Sequence, residues 1–247
     1  MMATRTTPPS TRRLAPLVLA LATLAWGGAP PAGEPPVKVV ALSPLELPYG
    51  FPDSAQAQAQ ALFERLLTLK LQGVGLTVVA SSEAGAVWKR LVDSVGGYYD
   101  SFTGERVPAL YEAVRAGAMR EMRAKHGADA WLRPRLEVVD APIYRGKAQW
   151  DGIEDRYNSS GGGGLVPALS LDLTVEDTAG AVLHRGRGGI GVLGKFRGGF
   201  WAGTGKVRPV SPEKMLADVK RPTTAVALAL DEFLMSEPAD SARKSRP

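Results

Sequence analysis

At 247 residues, 45% of them hydrophobic and 22% charged, the chain can bury a sizeable core and is read as one globular domain. Taking the leader's Arg5, Arg12 and Arg13 from the 30 basic residues leaves 27 against 25 acidic ones, which argues against a nucleic-acid partner. Cysteine is absent, excluding disulfides, thiolate chemistry and a lipobox anchor, and two histidines are too few for a His-rich metal centre.

Residues 1–29 have the layout of a signal peptide. An arginine-bearing start precedes the apolar run Leu14–Trp26, and small residues follow at Gly27, Gly28 and Ala29. Thirteen residues are too few to span a bilayer, so no transmembrane span is expected in the mature chain. Thr11-Arg12-Arg13-Leu14 also resembles a twin-arginine signal without its usual phenylalanine and lysine. Four prolines in residues 30–36 read as an extended linker. The domain is placed at 37–235, and the polar residues 236–247 are read as a disordered tail.

Val37–Leu42 is an apolar run suited to a strand covered on both faces. A proline-rich loop follows, and Asp53 or Ser54 is expected to cap a helix with Ala59, Leu62, Phe63, Leu66 and Leu67 inward. Gly73 and Gly75 end it, and Leu76–Ala80 gives a second buried strand. This order is a βαβ unit with parallel strands.

Ser81 or Ser82 should cap the next helix, striped by Val87, Trp88, Leu91, Val92 and Val95 and broken at Gly96-Gly97. Tyr98–Arg106 is a loop. Val107–His126 is a third helix, with Leu110, Tyr111, Val114, Ala118 and Met122 inward and His126 favouring its C-terminal dipole. A strand then alternates Ala130, Leu132, Leu136 and Val138 against Arg133, Arg135 and Glu137. Pro134 within it predicts a bulge or an edge position.

The segment through Tyr144, Trp150 and Asp155 is read as irregular, ending in a mobile loop at Gly161–Gly164. Leu169, Leu171, Leu173 and Val175 alternate with Ser170, Asp172, Thr174 and Glu176, a strand with one wet face. Asp177–Gly180 turns it into the hairpin partner Ala181–Arg187, where His184 is a packed or edge residue. Nine glycines in residues 186–205 suggest a long loop or poorly regular strands, and Pro222–Met235 is a closing amphipathic helix. The fold class is therefore α/β with a mixed sheet: a βαβ unit, two further helices, an antiparallel hairpin and a C-terminal helix on the sheet.

Three clusters could carry function. Gly189–Lys195 has the glycine and lysine spacing of a phosphate loop, but Phe196 replaces the required Ser or Thr and no helix follows. No nucleotide or other cofactor is expected. Around that segment Arg187, Lys195 and Arg197 interleave with Phe200 and Trp201, a surface suited to an anionic glycan, a lipid headgroup or an acidic partner. Its structural alternative is a hairpin with packed aromatics and solvated charges. Tyr98-Tyr99-Asp100 and Trp150-Asp151 with Glu154 place aromatics beside carboxylates. Asp100 paired with Asp151 or Glu154 would be a glycosidase-like set; otherwise the aspartates make turns with nearby glycines.

The leader, the opening strand, the helix to Gly73, the Leu76–Ala80 strand and Gly127-Ala128-Asp129-Ala130 together resemble a group of bacterial envelope domains. It comprises relatives of the curli secretion component, the penicillin-binding-protein activators and the N-terminal domain of TolB. The likeness is one of element order over Val37–Met235. It implies an exported, non-enzymatic binding or assembly module, periplasmic or secreted, with an envelope protein or an anionic glycan or lipid surface as partner. The competing readings are a carbohydrate-active or other hydrolase and a membrane-surface protein.

Overall fold

The computed structural model describes residues 37–157, 164–197 and 206–236. The leader, the linker, Gly161–Gly163, Phe200, Trp201 and nearly all of the tail fall outside them. The fold is mixed α/β: a seven-stranded sheet, a separate two-stranded hairpin and five helices among the described residues.

β1 (Val39–Leu42), α1 (Asp53–Gln72) and β2 (Thr77–Val79) form the expected βαβ unit, with β1 and β2 parallel. α1 buries Ala55, Ala59, Phe63, Leu67 and Leu71, one residue per turn. The capping expectations need correction. Pro52 and Ala80 occupy the N-cap positions of α1 and of α2 (Ser81–Ser94), without side-chain caps. Asp53 instead accepts from Gln56 Nε2 at 2.7 Å, and the Ser54 hydroxyl donates to Glu213 at 2.7 Å. α3 (Pro108–His126) buries Val114, Ala118, Met119 and Met122, and ends at Gly127, whose φ of 67° suits glycine. Leu110, expected inward, is exposed in its first turn.

β3 (Ala130–Tyr144) is the longest strand. It lies parallel to β1 at Ala130–Leu132 and antiparallel to β6 (Gly164–Asp177) from Ala130 to Ile143. Pro134 neither bulges this strand nor puts it at an edge. The register with β6 runs unbroken through the Pro134–Leu173 pair. The disturbance falls in the neighbouring chain. Ser43 N–H reaches Leu132 O at 2.9 Å, and a regular parallel ladder would next need the N–H of residue 134, which proline lacks. The chain therefore leaves β3 after Ser43 and touches it again only at Glu46.

Residues 142–157 are not irregular. β4 (Lys147–Trp150) and β5 (Ile153–Arg156) form a hairpin continuing from the end of β3, turned through Asp151 and Gly152 at positive φ. β7 (Val182–Val192) pairs with β6, with register shifts at Leu183 and Ile190, so the first half of the glycine-rich segment is a bulged strand and not a loop. β8 (Gly194–Arg197) and β9 (Lys206–Pro209) make the small hairpin. α4 (Pro212–Ala217), one short turn without a periodic signal, was not expected; α5 (Lys220–Ser236) closes the domain.

Three apolar clusters result. The largest lies between one sheet face and α1, α4 and α5, around Phe63, Leu132, Leu171 and Leu230. A second joins α2 and α3 to the opposite sheet face, at Ala41 of β1 and Trp131 of β3. The third fills the distal end, where Gly189 N–H donates to Asp151 O at 2.9 Å and brings the β4–β5 turn back onto β7. Burial in β3 changes parity between these ends: Ala130, Leu132 and Leu136 are inward first, then Ala141 and Ile143. Val138, expected inward, falls after the change and is exposed.

The glycines of β7 let α5 sit directly on the strand. A Cβ on Gly186 would lie 2.0 Å from Ala229 O, and one on Gly188 would lie 2.0 Å from Ala225 O.

Candidate functional site

α2 and α3 cover β1 and the start of β3, but leave the middle of the β3–β6–β7 face open. A cleft of about 460 Å³ opens at that boundary, just beyond the carboxyl end of β1. Its floor and inner wall come from the helical stripes. Trp88 of α2 meets Tyr111 of α3 edge-on at 5.7 Å, Trp131 of β3 at 6.2 Å and Tyr98 of the α2–α3 loop at 6.1 Å. Tyr98 also contacts Tyr111 at 5.4 Å and Tyr99 at 4.8 Å. Edge-to-face packing of this kind stabilises by about 0.5–1.5 kcal/mol per pair. Burial raises the Tyr98 pKa above its ordinary value. The Trp131 indole N–H donates to Ser43 Oγ, which fixes the ring against the β1–α1 loop. Gln60 holds that loop from α1: Leu45 N–H donates to its Oε1 at 3.0 Å, and its Nε2 donates to Leu45 O at 2.7 Å.

The charged wall is built around one buried carboxylate. Glu176 of β6, its side chain 7% exposed, accepts from Arg115 of α3 at 2.7 Å and from Arg133 of β3 at 3.3 Å. Arg133 also reaches Glu46 at 3.7 Å. Burial opposes the Arg115 cation, but the hydrogen bonds it donates to Glu176 and Glu112 outweigh it and raise its pKa. Arg106 lies over the Tyr111 ring at 4.4 Å and makes no ion pair with a described residue. A second cavity of about 210 Å³ shares Glu46, Arg133, Arg135 and Glu176 with the cleft and extends to Arg185, likewise without an ion pair to a described residue.

Of the residues singled out in the sequence, Tyr98 and Tyr99 lie in this cleft. Their neighbour Asp100 is a turn former. Its Oδ1 accepts the N–H groups of Phe102 and Thr103, both at 2.8 Å. Those bonds, Thr103 first, lower its pKa below the ordinary 3.8. A carboxylate with a depressed folded pKa stabilises in full above the unfolded value, and the effect is lost as pH falls through the folded one. An NMR titration should therefore place the Asp100 midpoint below 3.8, with the Phe102 and Thr103 amides shifting in step. An ordinary midpoint would remove the turn assignment.

Asp151 and Glu154 sit on the β4–β5 hairpin, and neither lines the cleft. Asp151 Oδ2 accepts the Ser170 hydroxyl at 2.6 Å, while Glu154 pairs with Lys147 at 2.5 Å and Gln149 at 2.8 Å. No described cleft is lined by two members of the glycosidase-like set. Trp150, read as a loop aromatic, is instead buried in the distal core, its Nε1 without a hydrogen-bond partner. Arg187 is not on a loop either; it stands in β7, paired with Glu137 and, at 3.2 Å, Asp172. Lys195 is exposed on β8; Arg197 ends that strand and its side chain lies outside the described residues, as do Phe200 and Trp201 entirely. Among the described residues no cluster of His, Asp and Glu could hold a metal, and no helix is long and apolar enough to cross a membrane. His184 Nε2 lies 2.8 Å from Ala229 O and its ring stacks near Phe233.

The sequence matches no protein-family model and no curated protein. Several solved structures are similar at low identity. The lipoprotein GNA1162 of Neisseria meningitidis is 15% identical over 73% of this chain and 90% of its own, with a TM-score of 0.33. A putative neuraminyllactose-binding hemagglutinin homolog from Helicobacter pylori is 9% identical over 83% and 88%, with a TM-score of 0.34. The PelC dodecamer of Paraburkholderia phytofirmans is 14% identical over 81% and 88%, at 0.32.

Proposed function

We propose that the chain is an exported envelope module that binds its ligand in the aromatic cleft, and that this ligand is an acidic saccharide. The leader and the element order carried the expectation of export; the cleft supplies the chemistry. The observation carrying the reading is a cleft lined by Trp88, Tyr98, Tyr99 and Tyr111 that also holds Arg106, a cation that no described carboxylate neutralises. Sugar rings present apolar faces to Trp and Tyr, while a uronate carboxylate is the natural partner of a guanidinium. The separate local partners of Asp100, Asp151 and Glu154 favour binding over hydrolysis.

Calorimetry with hexagalacturonate against the neutral cellohexaose tests it. The acidic oligomer should bind more tightly, and Tyr98→Ala and Arg106→Gln should each weaken it about tenfold, the equivalent of about 1.4 kcal/mol. Equal affinity for both oligomers, or unchanged binding in both variants, would sink the proposal. Release of shorter sugars would return the hydrolase reading.

A further inference from the structure

β6 covers one edge of β3 over nearly its full length, but only the ends of the other edge are taken. β1 occupies Ala130–Leu132, β4 occupies Ile143–Tyr144, and Glu46 makes one parallel bridge at Arg135. Parity fixes which backbone groups face the remaining gap. Ser43 N–H donates to Leu132 O, Glu46 N–H to Pro134 O, and Leu136 N–H to Glu46 O, so even-numbered residues face this side. The β3–β6 register is continuous, so Val138 and Asp140 face it as well. The opposite strand agrees. Pro167, across from Asp140, has its carbonyl turned away from β3 to accept Leu193 N–H at 2.8 Å.

No described residue bonds to the backbone N–H or C=O of Val138 or Asp140 on this edge. Val138 is 51% exposed despite lying in the longest strand of the sheet. The loop cannot extend to cover it: continuing the ladder from Glu46 would need the N–H of residue 48, which is proline. Leu47, Pro48 and Tyr49 instead form one wall of a groove beside Val138, with Tyr49 fully exposed, and the β4 hairpin bounds the other end.

We propose that this gap is a docking slot for an extended peptide segment of a partner protein, which adds a short strand beside β3 at Val138–Asp140. Donors and acceptors alternating at strand spacing are what a second backbone satisfies, and two open residues give that segment its register. The slot takes about five residues, roughly 17 Å of strand. An apolar side chain on the segment would meet Val138 and Tyr49. The edge of a second copy carries the same two walls and would collide with them; a lone segment has none.

Proline scanning separates this from a merely irregular edge. Pro134 and Pro142 already sit at even positions of β3, so Asp140→Pro should leave the thermal midpoint within about 2 °C. Val139→Pro, at an odd position facing β6, should lower it well beyond that. Random decapeptides displayed on phage are the probe. Selected peptides should bind the full chain, slow exchange of the Val138 and Asp140 amides, and bind Asp140→Pro at least about tenfold more weakly. Failure to select any peptide, equal binding to Asp140→Pro, or Val138 and Asp140 amides as protected in the free chain as Val139 and Ala141 would each overturn the proposal. If that protection came with sedimentation as a dimer, a second copy would be the occupant. The amide measurement decides the matter even if a proline variant misfolds.

Discussion

Gly188→Ala should destabilise the domain by about 3 kcal/mol or more, and chemical denaturation with a fixed m-value would measure it. The added methyl would stand 2.0 Å from Ala225 O and 2.6 Å from its carbonyl carbon, which are backbone atoms of a helix and cannot rotate aside. α5 must lift, and its lifting opens the contacts of Ala225, Ala229 and Leu230 with the main core. Gly186→Ala should act the same way against Ala229 O. Gly50→Ala is a useful contrast: no atom lies within 4 Å, so only its φ of 73° resists, at a cost of about 1 kcal/mol. A Gly188→Ala variant within about 0.5 kcal/mol of the parent would show that α5 does not rest on β7 as described.

Glu176→Ala should cost about 2 kcal/mol and also empty the cleft of its charged order. Removing the carboxylate leaves Arg115 and Arg133 facing one another with no counter-ion between them. Both guanidiniums are about a quarter exposed, so water recovers part of a loss that full burial would make larger. Binding of the acidic oligomer should fall with it, because Arg133 would no longer be held near Tyr111. Glu176→Gln keeps the shape and one acceptor and should retain more of the stability than of the charge pairing. Denaturation and calorimetry on the two variants separate the roles. If Glu176→Ala is as stable as the parent, the carboxylate does not organise the wall.

Much of the architecture was legible because it is written in short-range periodicity. The stripe of α1, that of α2 short of Val95, the inward Leu169, Leu171, Leu173 and Val175 of β6, and Gly127 as a helix stop are all local signals. Val95 is exposed at the C-cap, and Ser170 and Glu176, expected on a wet face, are buried. What failed depended on partners far away in sequence. The glycines of β7 look like loop residues until α5, some forty positions later, is laid against them. Lys147–Arg156 does alternate, with Ala148 and Trp150 inward and Lys147 and Gln149 outward, but each strand has only four residues, too short a run for period two to stand out. Pro134 was expected to damage its own strand, whereas its missing donor is felt by the neighbour.

The cleft divides similarly. Tyr98 and Tyr99 stood out as loop aromatics, but Trp88 and Tyr111 were absorbed into helical stripes and Trp131 was not singled out. Arg106, Arg115 and Glu176 carried no motif, since the loop, α3 and β6 contribute one charge each. The one available signal was the company of large amphipathic rings on helix faces, which bury a body while keeping an edge for a ligand.

The prolines along β3 have a last consequence. Pro134 and Pro142 stand either side of the open stretch and have no N–H to offer. Foreign chain can register against Val138 and Asp140, the two edge-facing residues between Leu136 and Pro142, but propagation stops there. Fibril growth needs an uninterrupted template, and this edge cannot supply one. A molecule that shows bare strand to its surroundings is thereby kept from polymerising through it.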